Sequence, residues 1–380
     1  VVPSVAGPLS WTDEPDGDEP PVRIGLHRVR IALVRPHRSA HHTVRDRESI
    51  LVRWERSDGH VGWGECPTLV SAGYATETTD QAWAALVDRL LPEALASGRV
   101  AADPARPAAC GALRDARLDA RLRVDGVGLG GLVGAPATLP GTGVVASVGD
   151  DPTDVAAAAL AVVATGSAMV KVKVVPATAL EVVDAVLDAV GPVPLALDAN
   201  GSFEPGEHDG ILARLLAAPL RYLEQPFGPS VPQSAWSELA ARGGVPLAVD
   251  ESATSVEAVR GLVLDGACSV VSIKPARLGG LAAAARAASE LSSLGASCFV
   301  GGMFELGVGR SSALRLAGAP WFDLPTDLGP SARYVALDVT EPVVDDAGRL
   351  VVPDGPGCAL HPVPERLTAA EVERVEIVRR

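Results

Sequence analysis

Residues 169–174 read MVKVKV, and residues 270–275 read VVSIKP. These two β-rich runs hold all three lysines of the chain, Lys171, Lys173 and Lys274, and the remaining thirty basic residues are arginine. Arginine serves well as a solvated surface charge but keeps its proton at any working pH, whereas a desolvated lysine amine can release one. A chain that otherwise avoids lysine therefore keeps it where a proton is to be exchanged.

Three further short apolar runs lie between the lysine runs, and each meets a carboxylate: LALDAN at Asp198, RYLEQP at Glu224 and LAVDES at Asp250. The steps from Lys173 through these three to Lys274 are 25, 26, 26 and 24 residues. One strand, a loop, a helix and a return loop take about that length in a β/α barrel, where eight units fill roughly 250 residues. Side chains alternate across a strand with period two. Val170, Val172 and Val174 thus face the helices while Lys171 and Lys173 face the barrel axis, and the same parity turns Asp198, Glu224 and Lys274 inward. An inward charge is costly unless it is paired or binds a metal. Lys173 and Lys274, on the second and sixth strands of an eight-stranded ring, would face each other across its mouth.

The rest of the chain organises around this core. VRIGLHRVRIALV (22–34) and SILVRWERSDGHVGWGEC (49–66) read as strands, with SDGH as a hairpin turn. TDQAWAALVDRLLPEAL (79–95) and GALRDARLDARLRV (111–124) read as helices. The expected order is an acidic, proline-rich and disordered tail over 1–21, an α+β capping domain over 22–140 completed by 345–380, and a (β/α)7β modified TIM barrel over 141–344. Its first strand is expected at VVASVG (144–149), its seventh at SCFVGGM (297–303) and its last near WFDLPTDLG (321–329). Gly126, Gly128 and Gly131 match G-x-G-x-x-G as a bare string, but a helical run precedes them where a dinucleotide site needs a strand.

Composition sets limits. The net charge of −14 argues against a nucleic-acid partner. The apolar run 155–170 is alanine- and glycine-rich and too short for a membrane span. Five cysteines without a CxxC pair suggest neither a disulfide framework nor a zinc site, and reduced thiols of a cytoplasmic protein are the expectation.

Three carboxylates without histidine or cysteine favour a hard divalent cation, Mg²⁺ with Mn²⁺ as a substitute, completed by the oxygens of a small carboxylate substrate. Such a cation stabilises the enediolate formed when a base removes the proton next to that carboxylate. One lysine must then be neutral in the resting complex. Asn200, one pleat beyond Asp198, is placed to hydrogen-bond the substrate, and Lys171, one pleat below Lys173, to support the metal ligands or Lys173. A non-catalytic barrel or a Schiff-base aldolase would leave the three periodic carboxylates unexplained.

KVK (171–173), DAN (198–200), EQP (224–226), DES (250–252) and IKP (273–275), in this order, resemble the enolase superfamily, muconate-lactonising subgroup. IKPARLGG (273–280), GGMFELGVGR (301–310), WGECP (63–67) and TVRDRESILVRW (43–54) resemble the o-succinylbenzoate synthases and N-succinylamino acid racemases within it. The resemblance implies Mg²⁺ on Asp198, Glu224 and Asp250, with Glu251 beside them. It implies Lys173 as the base that in dehydration also acts as the acid, and Lys274 as the cation opposite. Ser147, Gly301, Gly302 and Met303 would line the pocket, and segments 37–44 and 71–74 would close over it. The implied reaction is dehydration of a succinyl-hydroxycyclohexadiene carboxylate to o-succinylbenzoate for menaquinone synthesis, with racemisation of N-acylated amino acids as the alternative. A homo-oligomer is compatible with this reading.

Overall fold

The computed structural model describes residues 9–12, 19–38, 43–70, 77–145 and 150–379. Strands β1 (Arg23–Arg38), β2 (Thr43–Glu55) and β3 (Val61–Cys66) form an antiparallel meander. A short strand β4 (Thr138–Pro140) precedes seven parallel strands: β5 (Thr142–Val145), β6 (Met169–Lys173), β7 (Leu195–Asp198), β8 (Leu220–Glu224), β9 (Leu247–Val249), β10 (Val270–Ile273) and β11 (Ser297–Val300). They pair in sequence order, and a helix follows each on the return path, the last being Gly307–Ala317. The chain ends with β12 (Asp345–Asp346), which pairs with β13 (Arg349–Val351), itself paired with β4, and with β14 (Glu371–Val378), which joins the first sheet beside β1.

The ring closes without a regular eighth strand. Thr142 N donates to Thr326 O at 2.8 Å on the β5 side, and Thr326 Oγ1 donates to Val300 O at 2.6 Å on the β11 side. Only a single bridge, Gly141 to Thr326, stands where the sequence suggests a strand. Pro325 has no N–H to contribute to a ladder, so the closure mixes backbone bonds, including Asp323 N to Cys298 O at 3.1 Å, with the side-chain bond of Thr326. The seventh strand also stops earlier than expected, at Val300, and Gly301–Met303 lie in the loop beyond it. The first strand begins at Thr142, and residues 146–149 of its expected span lie outside the described residues.

Strand parity sorts the core as the alternation predicts. Met169, Ala196, Tyr222, Ala248, Val270, Phe299 and Leu324 meet inside the ring. Val170, Val172, Leu197, Leu223, Val249 and Val271 face outward into the helical layer. The helix Ala179–Val190 shows why that layer forms: Ala179, Val182, Val183, Val186 and Val190 make one buried stripe at helical spacing.

The meander packs on the helix Pro107–Val124. A Cβ on Gly62 would stand 2.0 Å from Ala116 O, and one on Gly64 would stand 2.1 Å from Ala112 O, so only glycine lets β3 lie this close to the helix backbone. The same helix meets the barrel through Asp115, which accepts from Leu281 N at 2.8 Å. The glycine string at Gly126 to Gly131 follows this helix rather than a strand, which is incompatible with a dinucleotide turn.

One part of the N-terminal stretch departs from expectation. Leu9–Thr12 form a 3₁₀ turn with Trp11 buried in the barrel's helical layer. Arg121 donates to Trp11 O at 2.6 Å, and Arg286 donates to Thr12 O at 2.8 Å. A tryptophan amid acidic residues supplies enough apolar surface to dock this turn. The architecture is a modified TIM barrel of the (β/α)7β type under an α+β cap. Among the described residues no helix is long and apolar enough to cross a membrane.

Candidate active site

All five periodic charges emerge at the C-terminal ends of β6 to β10. Lys173 is register partner of Asp198, and Asp198 is register partner of Glu224, which sets these three level across adjacent strands. Asp250 follows β9, and Lys274 follows β10. Asp198, Glu224, Asp250, Lys171 and Lys274 are all buried. With the Thr326 segment as the eighth position of the ring, Lys173 and Lys274 stand four positions apart, on opposite sides.

Each carboxylate faces a cation. Lys173 Nζ donates to Asp198 Oδ2 at 3.0 Å and to Asn200 Oδ1 at 2.5 Å. Lys171 Nζ donates to Glu224 Oε2 at 2.9 Å and to Asp327 Oδ2 at 2.6 Å. Lys274 Nζ donates to Asp250 Oδ2 at 2.6 Å, and Arg277 Nη1 donates to Asp250 Oδ1 at 2.6 Å. Asn200 spans two site residues, because its Nδ2 also donates to Glu251 Oε1 at 3.0 Å. The amide expected to meet substrate is thus engaged with Lys173 and Glu251.

Electrostatics separate the three acids. Burial alone would raise Asp250, but Lys274 and Arg277 outweigh it and hold its carboxyl well below the usual carboxylate range. Burial also opposes ionisation of Asp198, yet Lys173 and Lys171 keep it below its ordinary value. Burial pushes Glu224 up to about 8; Lys171 opposes this, and the charges of Asp198 and Asp250 add to it. Burial pushes Glu251 to about 7, with Asp250 and Asp198 adding to the rise.

The donor set fits a hard divalent cation. It is all oxygen, drawn from adjacent strand ends, and a cation among three mutually repelling carboxylates would reverse the rise at Glu224. The buried Glu251 Oε2 accepts no hydrogen bond, an unmet acceptor beside the trio. Among the described residues no three such side chains already surround one point as ligands, since each is turned toward its lysine or arginine.

The loop after β11 supplies the remaining wall. A Cβ on Gly301 would lie 3.0 Å from Lys274 Cε and 2.4 Å from Ser272 Oγ, so the bare backbone makes room for the lysine. Gly302 N donates to Asp327 Oδ1 at 3.0 Å, and the buried Met303 donates its N–H to Glu305 Oε1 at 2.9 Å. Asn200, Gln225 and Phe304 hold positive φ angles of 43°, 41° and 58°, strain of the kind that gathers at functional sites. Ser147, residues 39–42 and residues 71–74 lie outside the described residues.

Sequence reasoning missed three contributors. Arg277 grips both the carbonyl and the carboxylate of Asp250, but one arginine among thirty carries no signal. Gln225 Oε1 accepts from Asp250 N at 2.9 Å, tying two strand ends together. Asp327 lies 53 residues beyond Lys274, two steps of the same period through Gly301, and extending the period would have found it.

A family model described as enolase C-terminal domain-like matches residues 154–366. An N-succinylamino acid racemase from Amycolatopsis sp. is 34% identical over 364 residues, covering 93% of this chain and 98% of that protein. An o-succinylbenzoate synthase from Geobacillus stearothermophilus is 32% identical over 346 residues, covering 87% and 91%. A solved structure described as a probable mandelate racemase from Alicyclobacillus acidocaldarius superposes with a TM-score of 0.87 at 30% identity, covering 94% of this chain and 97% of that one. The chain belongs to the enolase superfamily, and it is an enzyme of that superfamily.

Proposed function

We propose that this enzyme removes the proton α to the carboxylate of a small acid, and that its reaction is the dehydration of 2-succinyl-6-hydroxy-2,4-cyclohexadiene-1-carboxylate to o-succinylbenzoate in menaquinone biosynthesis. The observation that carries this reading is the pair of lysines on opposite sides of the barrel mouth with three buried carboxylates on the arc between them.

Asp198, Glu224 and Asp250 would hold Mg²⁺, or Mn²⁺ in its place. When bound, the cation would hold the substrate carboxylate and stabilise the negative charge that builds there. The chain's own groups do the rest. Lys173, as the neutral amine, takes the proton from C1 of the substrate and becomes an ammonium. It then returns that proton to the C6 hydroxyl as the C–O bond breaks, so water leaves and the ring becomes aromatic. In the structure Asp198 and Asn200 accept from Lys173, which fixes the direction of its amine. Lys274 supplies positive charge on the opposite face, and Lys171 tethers Glu224 from below. Gly301, Gly302 and Met303 form the wall beside Lys274, and Ser147 would extend the pocket from the first strand.

A second reading is racemisation of an N-succinylamino acid. It is favoured by the same two opposed amines, since inversion needs one on each face, and by the extent of the match to the Amycolatopsis racemase. Assaying both substrates with Mg²⁺ separates the readings. Formation of the aromatic product supports dehydration. Exchange of solvent deuterium into both enantiomers of an N-succinylamino acid, without aromatic product from the diene, replaces it with racemisation.

A further inference from the structure

Arg47, on β2 of the cap, is 3% exposed. Its guanidinium spends its donors on backbone carbonyls from three separate segments. Nε donates to Phe304 O at 2.7 Å, Nη2 to Met303 O at 3.4 Å, Nη1 to Thr68 O at 2.7 Å, and Nη1 also to Glu48 O. Met303 and Phe304 belong to the loop that begins at Gly301, whose Cα side faces Lys274 and Ser272. A second cap residue grips the far end of the loop: Glu65 accepts from Leu306 N and Gly309 N, each at 2.8 Å.

We propose that Arg47 is a positioning residue through which the cap holds the loop after β11 against Lys274. The loop cannot hold this shape through local bonds alone. Phe304 sits at φ +58°, a conformation costly for a residue with a Cβ, and the donors that anchor its carbonyl and that of Met303 come from Arg47. A planar guanidinium donates from three separate nitrogens and so reaches carbonyls lying on different sides of it, whereas the donors of a lysine ammonium all leave a single nitrogen. Without Arg47 the loop carbonyls lose their buried donors, the loop relaxes, and the surface against which Lys274 packs moves. The effect on turnover rests on the two-lysine reading above, while the effect on the loop does not.

The test compares the full-length wild type with Arg47→Lys and Arg47→Met by hydrogen–deuterium exchange and by steady-state kinetics on both candidate substrates with Mg²⁺. Arg47→Lys, which keeps the buried charge, serves as the folded variant if Arg47→Met does not fold. Expected in Arg47→Lys is exchange over residues 301–306 about tenfold faster, with the barrel helices exchanging as in the wild type. Also expected is kcat lower by about 10- to 100-fold, because misplacement at the reacting centre acts on the chemical step, with KM changed by less than about threefold. Unchanged exchange over 301–306, or a loss of protection spread evenly through the cap with kcat retained, overturns the proposal. A wild type that acts on neither substrate defeats the two-lysine reading instead, and the exchange result alone then decides the role of Arg47.

Discussion

A side chain at position 301 would place its Cβ 3.0 Å from Lys274 Cε, so Gly301 and Lys274 share one space at the barrel mouth. Gly301→Ala must displace the lysine or the loop, since Ser272 Oγ blocks the other direction at 2.4 Å. The variant is expected to fold, to melt within a few degrees of the wild type, and to lose about 10- to 100-fold in kcat. Kinetics beside a thermal melt check this, and unchanged kcat would show that Lys274 does not need this wall.

Lys173→Arg is expected to be as inactive as Lys173→Ala, at least about 100-fold below wild type, because a guanidinium cannot act as the base at working pH. Both variants should keep the wild-type circular dichroism spectrum. Activity in Lys173→Arg would show that the position supplies only charge.

Asp327→Asn should weaken the site from below. Asp327 joins Lys171 Nζ to Gly302 N, so its loss frees the amine that tethers Glu224 and one end of the β11 loop together. The expected outcome is weaker Mg²⁺ binding, read by calorimetry, together with reduced kcat. Mg²⁺ affinity equal to wild type would confine Asp327 to ring closure.

Stability should fall as pH rises across the neutral range, and Asp115 makes the case testable away from the site. Burial raises its carboxyl to about 7 from an ordinary 3.8. Between those values the folded protein binds more protons than the unfolded chain. The protonated acid's contribution is therefore full below about 4 and is lost as pH rises through about 7, with a slope of at most roughly 1.4 kcal/mol per pH unit for one group. Asp115→Asn keeps the acceptor for Leu281 N and should flatten that part of the curve. Chemical denaturation from pH 4 to 8 checks it; an unchanged slope would place the proton elsewhere.

Much of the barrel was legible because charge and period coincide. MVKVKV and VVSIKP announce strands whose inward faces carry lysine at the mouth end, and the roughly 25-residue step fixes their order around the ring. The closing segment was less legible, because Pro325 interrupts the ladder and a few irregular backbone bonds with the hydroxyl of Thr326 take its place, which no alternation records. The turn at Leu9–Thr12 hid inside an acidic stretch whose composition outweighs one tryptophan. Arg47 and Arg277 act through carbonyls, contacts that depend on where distant backbone comes to lie and leave no periodic trace.

In the proposed reaction Lys173 takes a proton from the carbon next to a substrate carboxylate held between two amines and three acids. Its most direct test is proton NMR of 2-succinyl-6-hydroxy-2,4-cyclohexadiene-1-carboxylate incubated with Mg²⁺ and either wild type or folded Lys173→Ala. Aromatic o-succinylbenzoate signals with wild type and none with Lys173→Ala is the predicted result. Equal product from both proteins, or an intact C1 proton after long incubation with wild type, would contradict it.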